Sequence, residues 1–245
     1  MASRAQESSA AKVKAVLATL ERRGTKSTRD GMARYGIVAP KAFGVPVGGL
    51  HQVAKRLGRD HALALALWKT GWYEARMLTA FIDEPALVTT AQMERWARDF
   101  DNWAIVDTLC FHLFDRSPLA WKMIGPWSRR REEFVRRAAF ALLACLALHD
   151  KETGDAPFLR SLALVERAAR DDRNFVMKGV SWALRAVGRR SPPLHAAGVK
   201  LARKLAASAD PAARWVGRDA LRELLRPAVR RQVAARGKAR RAAGR

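Results

Sequence analysis

The spacing of apolar residues constrains the fold of this chain more than any other feature of its sequence. Apolar side chains recur three and four positions apart along almost the whole chain, which is the period of an amphipathic helix. We find no segment with the apolar and polar alternation of a half-buried strand. The pattern predicts an all-α fold with helices near residues 10–23, 47–58, 60–69, 73–83, 89–100, 102–115, 118–127, 131–149, 156–170, 173–189, 193–207 and 210–225.

The turns between these helices are short, and the helices pair off along the chain. Thr89 is placed to begin one helix, and Asp210 followed by Pro211 is typical of an N-cap with proline at the first helical position. From about residue 60 onward the pairs repeat every ~35 to 45 residues, the period of HEAT-like units. The sequence therefore predicts a HEAT-like helical repeat solenoid with a basic concave face, and a compact helical bundle is the alternative.

The predicted domain organisation is simple. Residues 1–225 form one helical repeat domain, and residues 24–50 within it are glycine-rich and predicted to be an irregular, loop-like segment. Residues 226–245 consist mainly of Arg, Lys and Ala and are predicted to be a basic, flexible tail that contacts phosphate.

The charge balance indicates the kind of partner. Lys and Arg number 46 against 23 acidic residues, so the formal net charge is +23. Because such an excess causes self-repulsion that no folded core requires, it indicates a polyanion, with nucleic acid favoured over an anionic membrane surface. Cys110 and Cys145 are isolated within apolar runs, as expected of core residues in a reduced cytoplasmic protein. The longest apolar segment, Ala138–Leu148, is too short to span a bilayer, and no secretory leader is recognisable, so we expect a soluble protein.

Several kinds of chemistry lack a recognisable motif. The chain has no Walker A loop, no dinucleotide-binding glycine fingerprint and no cluster of Cys and His at zinc-binding spacing. The five histidines are scattered along the sequence. The prediction is a protein that uses no cofactor and no metal.

The segment around Trp103 and Asp107 is the most informative one. These residues are four apart and share one face of a predicted helix. A carboxylate repels phosphate, so on a DNA-facing surface its presence indicates a cationic group that it stabilises. The alternative is that Asp107 pairs with an arginine of the next helix and that Trp103 is a core residue. Two further segments are informative. One contains Arg136 and Arg137, and the other contains Lys178, Trp182 and Arg185.

Taken together, these segments resemble the AlkD-type DNA alkylation repair family of HEAT-repeat glycosylases, which excise 3- and 7-alkylpurines. The family pattern of Trp, three residues and Asp falls on Trp103 and Asp107, and its arginine before two alanines falls on Arg137. Its second tryptophan falls on Trp182, and the regions Tyr35-Gly36-Ile37 and Lys41–Pro46 look like its N-terminal motif. The family often has Trp-Trp-Asp where this chain has Asn102-Trp103-Ala104.

The resemblance implies a reaction and a role for each residue. Asp107 would stabilise positive charge on the deoxyribose and orient water, while Trp103 and Trp182 would bracket the damaged nucleotide without enclosing a flipped base. Arg137 would clamp a flanking phosphate. The remaining candidate DNA-binding residues are Arg136, Lys178, Arg185, Arg189 and Arg190. The expected partner is double-stranded DNA with alkylated bases, bound by a monomer that associates with the nucleoid.

Three other interpretations of the sequence were compared with this hypothesis. A non-catalytic HEAT-repeat scaffold that binds DNA shares the fold and the charge, and differs only in whether the site around Asp107 is assembled. An RNA-binding repeat protein requires polar side chains recurring at fixed repeat positions, and we find none. A protein-interaction solenoid does not account for the large positive charge.

Overall fold

The computed structural model describes the backbone of residues 2–243 and the side chains of residues 10–238, and within this part of the chain every regular element is helical. The fourteen α-helices are α1 (Ala2–Arg23), α2 (Lys26–Gly31), α3 (Val47–Leu57), α4 (His61–Trp68), α5 (Tyr73–Ile82), α6 (Thr90–Ala97), α7 (Trp103–His112), α8 (Ala120–Trp127), α9 (Glu133–His149), α10 (Asp155–Ala168), α11 (Asn174–Gly188), α12 (Pro192–Ala206), α13 (Pro211–Leu224) and α14 (Pro227–Ala243). Short 3₁₀ helices cover Met32–Tyr35, Pro85–Leu87 and Phe114–Arg116. The predicted all-α class is confirmed.

Helix starts follow the local sequence. Thr89 accepts a hydrogen bond from Gln92 N at 3.1 Å and Asp210 accepts one from Ala213 N at 2.9 Å, so both predicted N-caps are confirmed. Asn102 caps α7 in the same way, accepting from Ile105 N at 3.0 Å. These caps satisfy backbone donors that a helix leaves without an intrahelical partner.

The chain packs as two compact units, residues 1–119 and 120–245. In the first unit α5 packs against α3, α4 and α7. In the second, α9 packs against α11 and α11 against α13, while α10 packs against α12. The second unit thus has the two helical layers of a repeat stack, in which each helix contacts its equivalent in the next pair.

The core of the second unit centres on α9. Every residue from Ala138 to Ala147 is buried, because α9 contacts α8 on one side and α11 on another. Cys145 lies in this core, and Cys110 is buried in α7. The burial of both cysteines is as expected of small core residues.

The segment predicted to be an irregular loop, residues 24–50, contains more structure than expected. Helix α2 and the 3₁₀ helix Met32–Tyr35 fill part of it, and Gly44 adopts a positive φ of 84°. The carboxylate of Glu74, fully buried in α5, accepts hydrogen bonds from the backbone N–H groups of Phe43, Gly44 and Val45 at 2.9, 2.6 and 3.2 Å. One carboxylate therefore fixes the course of the segment that precedes α3.

Two further points concern the ends and the surface of the protein. The segment predicted to be a flexible tail begins with α14, which continues to Ala243; its flexibility and the single-domain organisation of residues 1–225 stay predictions. Among the described residues, none of the helices combines the length and hydropathy needed to cross a lipid bilayer.

Candidate nucleic-acid interface

Helix α7 presents Trp103 and Asp107 one turn apart, and both side chains are half-buried. The cap at Asn102 fixes the first turn of this helix, so the position of Trp103 follows from the local sequence. The indole N–H of Trp103 donates to the carbonyl oxygen of Tyr35 at 2.8 Å. The Tyr35 side chain itself is 69% exposed.

The contact between Trp103 and Tyr35 links two segments that the sequence analysis had treated separately. Tyr35 ends its 3₁₀ helix, and Gly36 follows with a positive φ of 68°. Tyr35, whose backbone binds Trp103 and whose side chain is exposed, is a candidate functional residue that the sequence indicates only as part of a motif. A spacing argument cannot find such a pair, because 68 residues separate the two partners.

Arg137 lies in the second unit, at the interface between α9 and α11. It is 6% exposed, and its Nη1 donates to the carbonyl oxygen of Phe175 at 2.7 Å. A Cβ placed on Gly179 would lie 3.3 Å from Cγ of Arg137, so the glycine leaves room for the arginine stem. The guanidinium is thereby held at the first turn of α11.

Arg136 points toward a different partner. Its Nη1 lies 3.0 Å from Asp171 Oδ2, and Arg173 also binds this carboxylate at 2.6 Å. Burial alone would raise the pKa of Asp171, but the hydrogen bonds from Arg173 and the charges of Arg173 and Arg136 outweigh it and hold the pKa below its usual range. The charge of Arg136 is therefore largely compensated inside the protein.

The predicted residues of α11 form one stripe. Lys178, Trp182, Arg185 and Arg189 follow each other at intervals of three or four residues, which places them on one face of the helix and its C-cap. Lys178 is exposed and Trp182 is half-buried. Phe175, whose carbonyl binds Arg137, lies one turn before Lys178 on the same helix.

Two arginines of this stripe are paired with acidic residues of α13. Arg185 Nη1 lies 2.5 Å from Glu223 Oε2, and Arg189 Nη1 lies 3.1 Å from Glu223 Oε1. Asp219 lies 3.5 Å from Arg185 Nε and also accepts a hydrogen bond from Ser181. Contact of these arginines with phosphate would compete with this internal network.

Arg190 has a packing role in the structure, and its contact with DNA stays a prediction. It is 8% exposed, and its guanidinium donates to the carbonyl oxygens of Ala147, Asp150 and Thr153. The guanidinium carbon also lies 4.2 Å from the ring centroid of Phe158. These contacts join α9, α10 and α11, so Arg190 contributes to the packing of these helices.

The structure thus brings the candidate residues together in two groups. Trp103 and Asp107 belong to the first unit, and the arginines, Lys178 and Trp182 belong to the second. Among the described residues no group of three or more His, Cys, Asp or Glu side chains is arranged to hold a metal ion.

Comparison with known proteins identifies relatives of this chain. It is similar to a solved structure described as a new family of proteins related to the HEAT-like repeat DNA glycosylases with affinity for branched DNA structures. The TM-score is 0.72 at 20% sequence identity, and the match covers 86% of this chain and 95% of the other, which confirms the HEAT-like fold. No curated protein matches the chain. The model of the family described as DNA alkylation repair enzyme matches residues 16–224, and the chain therefore belongs to this family.

Proposed function

We propose that this protein is a DNA glycosylase that excises cationic N3- and N7-alkylated purines from duplex DNA. The observation that carries the proposal is the pair Trp103 and Asp107, held one turn apart on a capped helix with the indole N–H bound to the Tyr35 carbonyl. This arrangement leaves a carboxylate and an aromatic ring side by side on a half-exposed helix face of a strongly basic protein.

The proposed reaction uses the charge that the lesion already carries. When the glycosidic bond breaks, its electron pair neutralises the alkylated base, which leaves, and the deoxyribose becomes an oxocarbenium ion. The carboxylate of Asp107 stabilises this cation and orients the water that attacks C1′, and the proton lost from the water passes to solvent. The aromatic face of Trp103, on the same helix as Asp107, attracts the cationic base and packs against the sugar. The base need not be flipped into a pocket.

The arginines have narrower roles in this proposal than the sequence suggested. Arg137 is held by the Phe175 carbonyl, which fixes the direction of its guanidinium before any DNA phosphate arrives. Lys178 is the exposed cation of the α11 stripe. Arg136, Arg185 and Arg189 contribute through networks with Asp171, Asp219 and Glu223 that tether them within the protein.

The decisive experiment measures release of 7-methylguanine from methylated duplex DNA by the wild type and by Asp107→Asn. Removing the carboxylate is expected to slow release about 100-fold or more, because a preorganised charge at the reacting sugar is lost. Duplex affinity should stay equal or rise, since a negative charge near phosphate disappears. Asp172→Asn is the matched control, because it removes one exposed carboxylate of the second unit and should leave release unchanged.

The second candidate function is a non-catalytic scaffold for branched DNA. The observation in its favour is the structural relative, which is described as having affinity for such DNA. In that case wild type and Asp107→Asn would both release no base while retaining salt-sensitive DNA binding, with four-way junctions bound more tightly than linear duplex.

A further inference from the structure

The first unit contains a small pocket that none of the predicted site residues lines. Its volume is about 310 Å³, and it lies where the C-terminal ends of α3, α5 and α7 come together. We call it the imidazole pocket and define it by the side chains of His51, Lys55, Arg59, Phe81, His112 and Arg116.

The aromatic rings hold the two imidazoles in place. The ring centroid of Phe81 lies 4.4 Å from that of His51 and 4.8 Å from that of His112, and the two imidazole centroids are 5.8 Å apart. The three rings come from three different helices, so their arrangement is fixed by the packing of α5 against α3 and α7. Both imidazole rings therefore line the same pocket.

The charged side chains of the pocket are all cations. Lys55, Arg59 and Arg116 are exposed, and no carboxylate lines the pocket. Arg59 donates to the backbone carbonyl of Asp83, while Lys55 and Arg116 have no carboxylate partner within the described residues. This differs from Arg136, Arg185 and Arg189, whose charges are compensated by Asp171, Asp219 and Glu223.

We propose that the imidazole pocket holds one phosphate group of a bound DNA strand. Lys55, Arg59 and Arg116 offer cationic N–H donors and no carboxylate lines the pocket, which is the composition that recognises the oxygens of a phosphate. The pocket would provide the first unit with an anchoring point outside the candidate site at Trp103 and Asp107. This inference rests on the DNA binding in the proposed function and is independent of base excision.

The first test compares two double variants of equal charge. Lys55→Gln/Arg116→Gln removes two pocket cations, and Lys69→Gln/Arg95→Gln removes one lysine and one arginine that are exposed elsewhere in the same unit. The equilibrium constant for undamaged duplex DNA is measured by fluorescence anisotropy over a range of salt concentrations. Loss of one phosphate contact lowers the magnitude of the slope of log K against log salt by about 0.9, and only the pocket variant is expected to show this.

Two results would overturn the proposal. One is an equal change of slope in both double variants, which would mean that the pocket cations act only through overall charge. The other is an unchanged slope in the pocket variant. If the thermal midpoint of that variant also falls, the two cations stabilise helix C-termini through the helix dipole and do not bind phosphate.

The second test identifies the source of the phosphate in the wild-type protein. The imidazole NMR signals of His51 and His112, assigned with single His→Gln variants, are followed during titration with duplex DNA and with inorganic phosphate. DNA is expected to shift both signals at lower concentration than phosphate does, while the signals of His149 and His195 in the second unit act as internal references. A shift with inorganic phosphate and none with DNA would refute a strand phosphate and leave a small-anion site.

Failure of this inference and failure of the proposed function are distinguishable. The binding tests use undamaged DNA, so they give a result whether or not 7-methylguanine is released. If the wild type releases 7-methylguanine but the salt slope and the imidazole signals do not change as expected, only the inference is refuted. If these binding tests succeed and no base is released, only the glycosylase activity is refuted.

Discussion

At the scale of single residues, the hydrogen bond from Trp103 to the Tyr35 carbonyl connects α7 to the segment before α3. Trp103→Phe keeps an aromatic ring and removes the donor, so the carbonyl loses its partner. We expect the free energy of unfolding to fall by about 1 kcal/mol. Base release should slow because the aromatic ring beside Asp107 loses its fixed orientation. Urea denaturation measures the first effect, and Trp215→Phe is the control because Trp215 is 37% exposed.

A second residue-scale prediction concerns Arg190, for which stability and the salt dependence of DNA binding distinguish a packing role from a contact with phosphate. Arg190→Ala leaves three backbone carbonyls without the guanidinium that they bind, and we expect a loss of more than about 3 kcal/mol of stability. The salt dependence of DNA binding at a temperature where the variant is folded should not change. Arg160→Ala, at an exposed position of α10, should leave stability within about 0.5 kcal/mol of the wild type. A flatter salt slope for Arg190→Ala would support the predicted contact of Arg190 with DNA.

The neighbours Arg189 and Arg190 show what spacing can and cannot predict about the candidate site. The interval between Trp103 and Asp107 places both on one helix face, and the structure has them there. Arg189 and Arg190 are both basic and adjacent, yet one reaches Glu223 of α13 and the other is buried against Phe158. Those partners lie more than thirty residues away in sequence, so no local pattern distinguishes the two arginines.

At the scale of elements, the close packing of two helices is expected to outweigh helix propensity when a glycine is replaced by alanine. A Cβ on Gly217 of α13 would lie 2.2 Å from Ala206 N and 2.6 Å from Ala202 O, both backbone atoms of α12. Gly217→Ala is therefore expected to destabilise the protein by more than the ~1 kcal/mol that alanine gains in a helix. Gly48→Ala in α3, where a Cβ meets nothing within 4 Å, should leave stability equal or higher. Thermal denaturation of the two variants tests the contrast, and similar midpoints for both would contradict the close approach of α12 and α13.

The elements that the sequence predicted well are those with a buried face. Helices such as α9 and α11 bury apolar residues at helical spacing, so their periodicity is visible. Helix α2 was missed because it has no buried residue and therefore no apolar pattern. Its position depends on a close approach, since a Cβ on Gly24 would lie 2.2 Å from the carbonyl oxygen of Phe43. Because that contact joins residues far apart in sequence, a single glycine is the only trace of it in the local pattern.

At the scale of the whole molecule, the excess of basic residues makes each internal carboxylate important for stability. The protein carries 23 acidic residues against 46 basic ones, so protonation of any carboxylate adds to a net charge that is already +23. Glu223 is one of the carboxylates that bind arginines. Burial alone would raise the pKa of Glu223, but the hydrogen bond from Arg185 and the charges of Arg185 and Arg189 outweigh it and hold the pKa below its usual range.

Acid should therefore unfold this protein in a defined direction. Because the pKa values of Asp171 and Glu223 are lowered by folding, their contribution to stability is complete above the unfolded value of about 4 and is lost as the pH falls through the folded values. Urea midpoints measured from neutral pH downward should thus decline mainly below about pH 4. Glu223→Gln should lower the midpoint at neutral pH and flatten this decline, whereas Glu152→Gln, at an exposed position, should do neither. If both variants kept the wild-type pH dependence, the arginine network around Glu223 would contribute nothing measurable, and Arg185 and Arg189 would be available to phosphate at little cost.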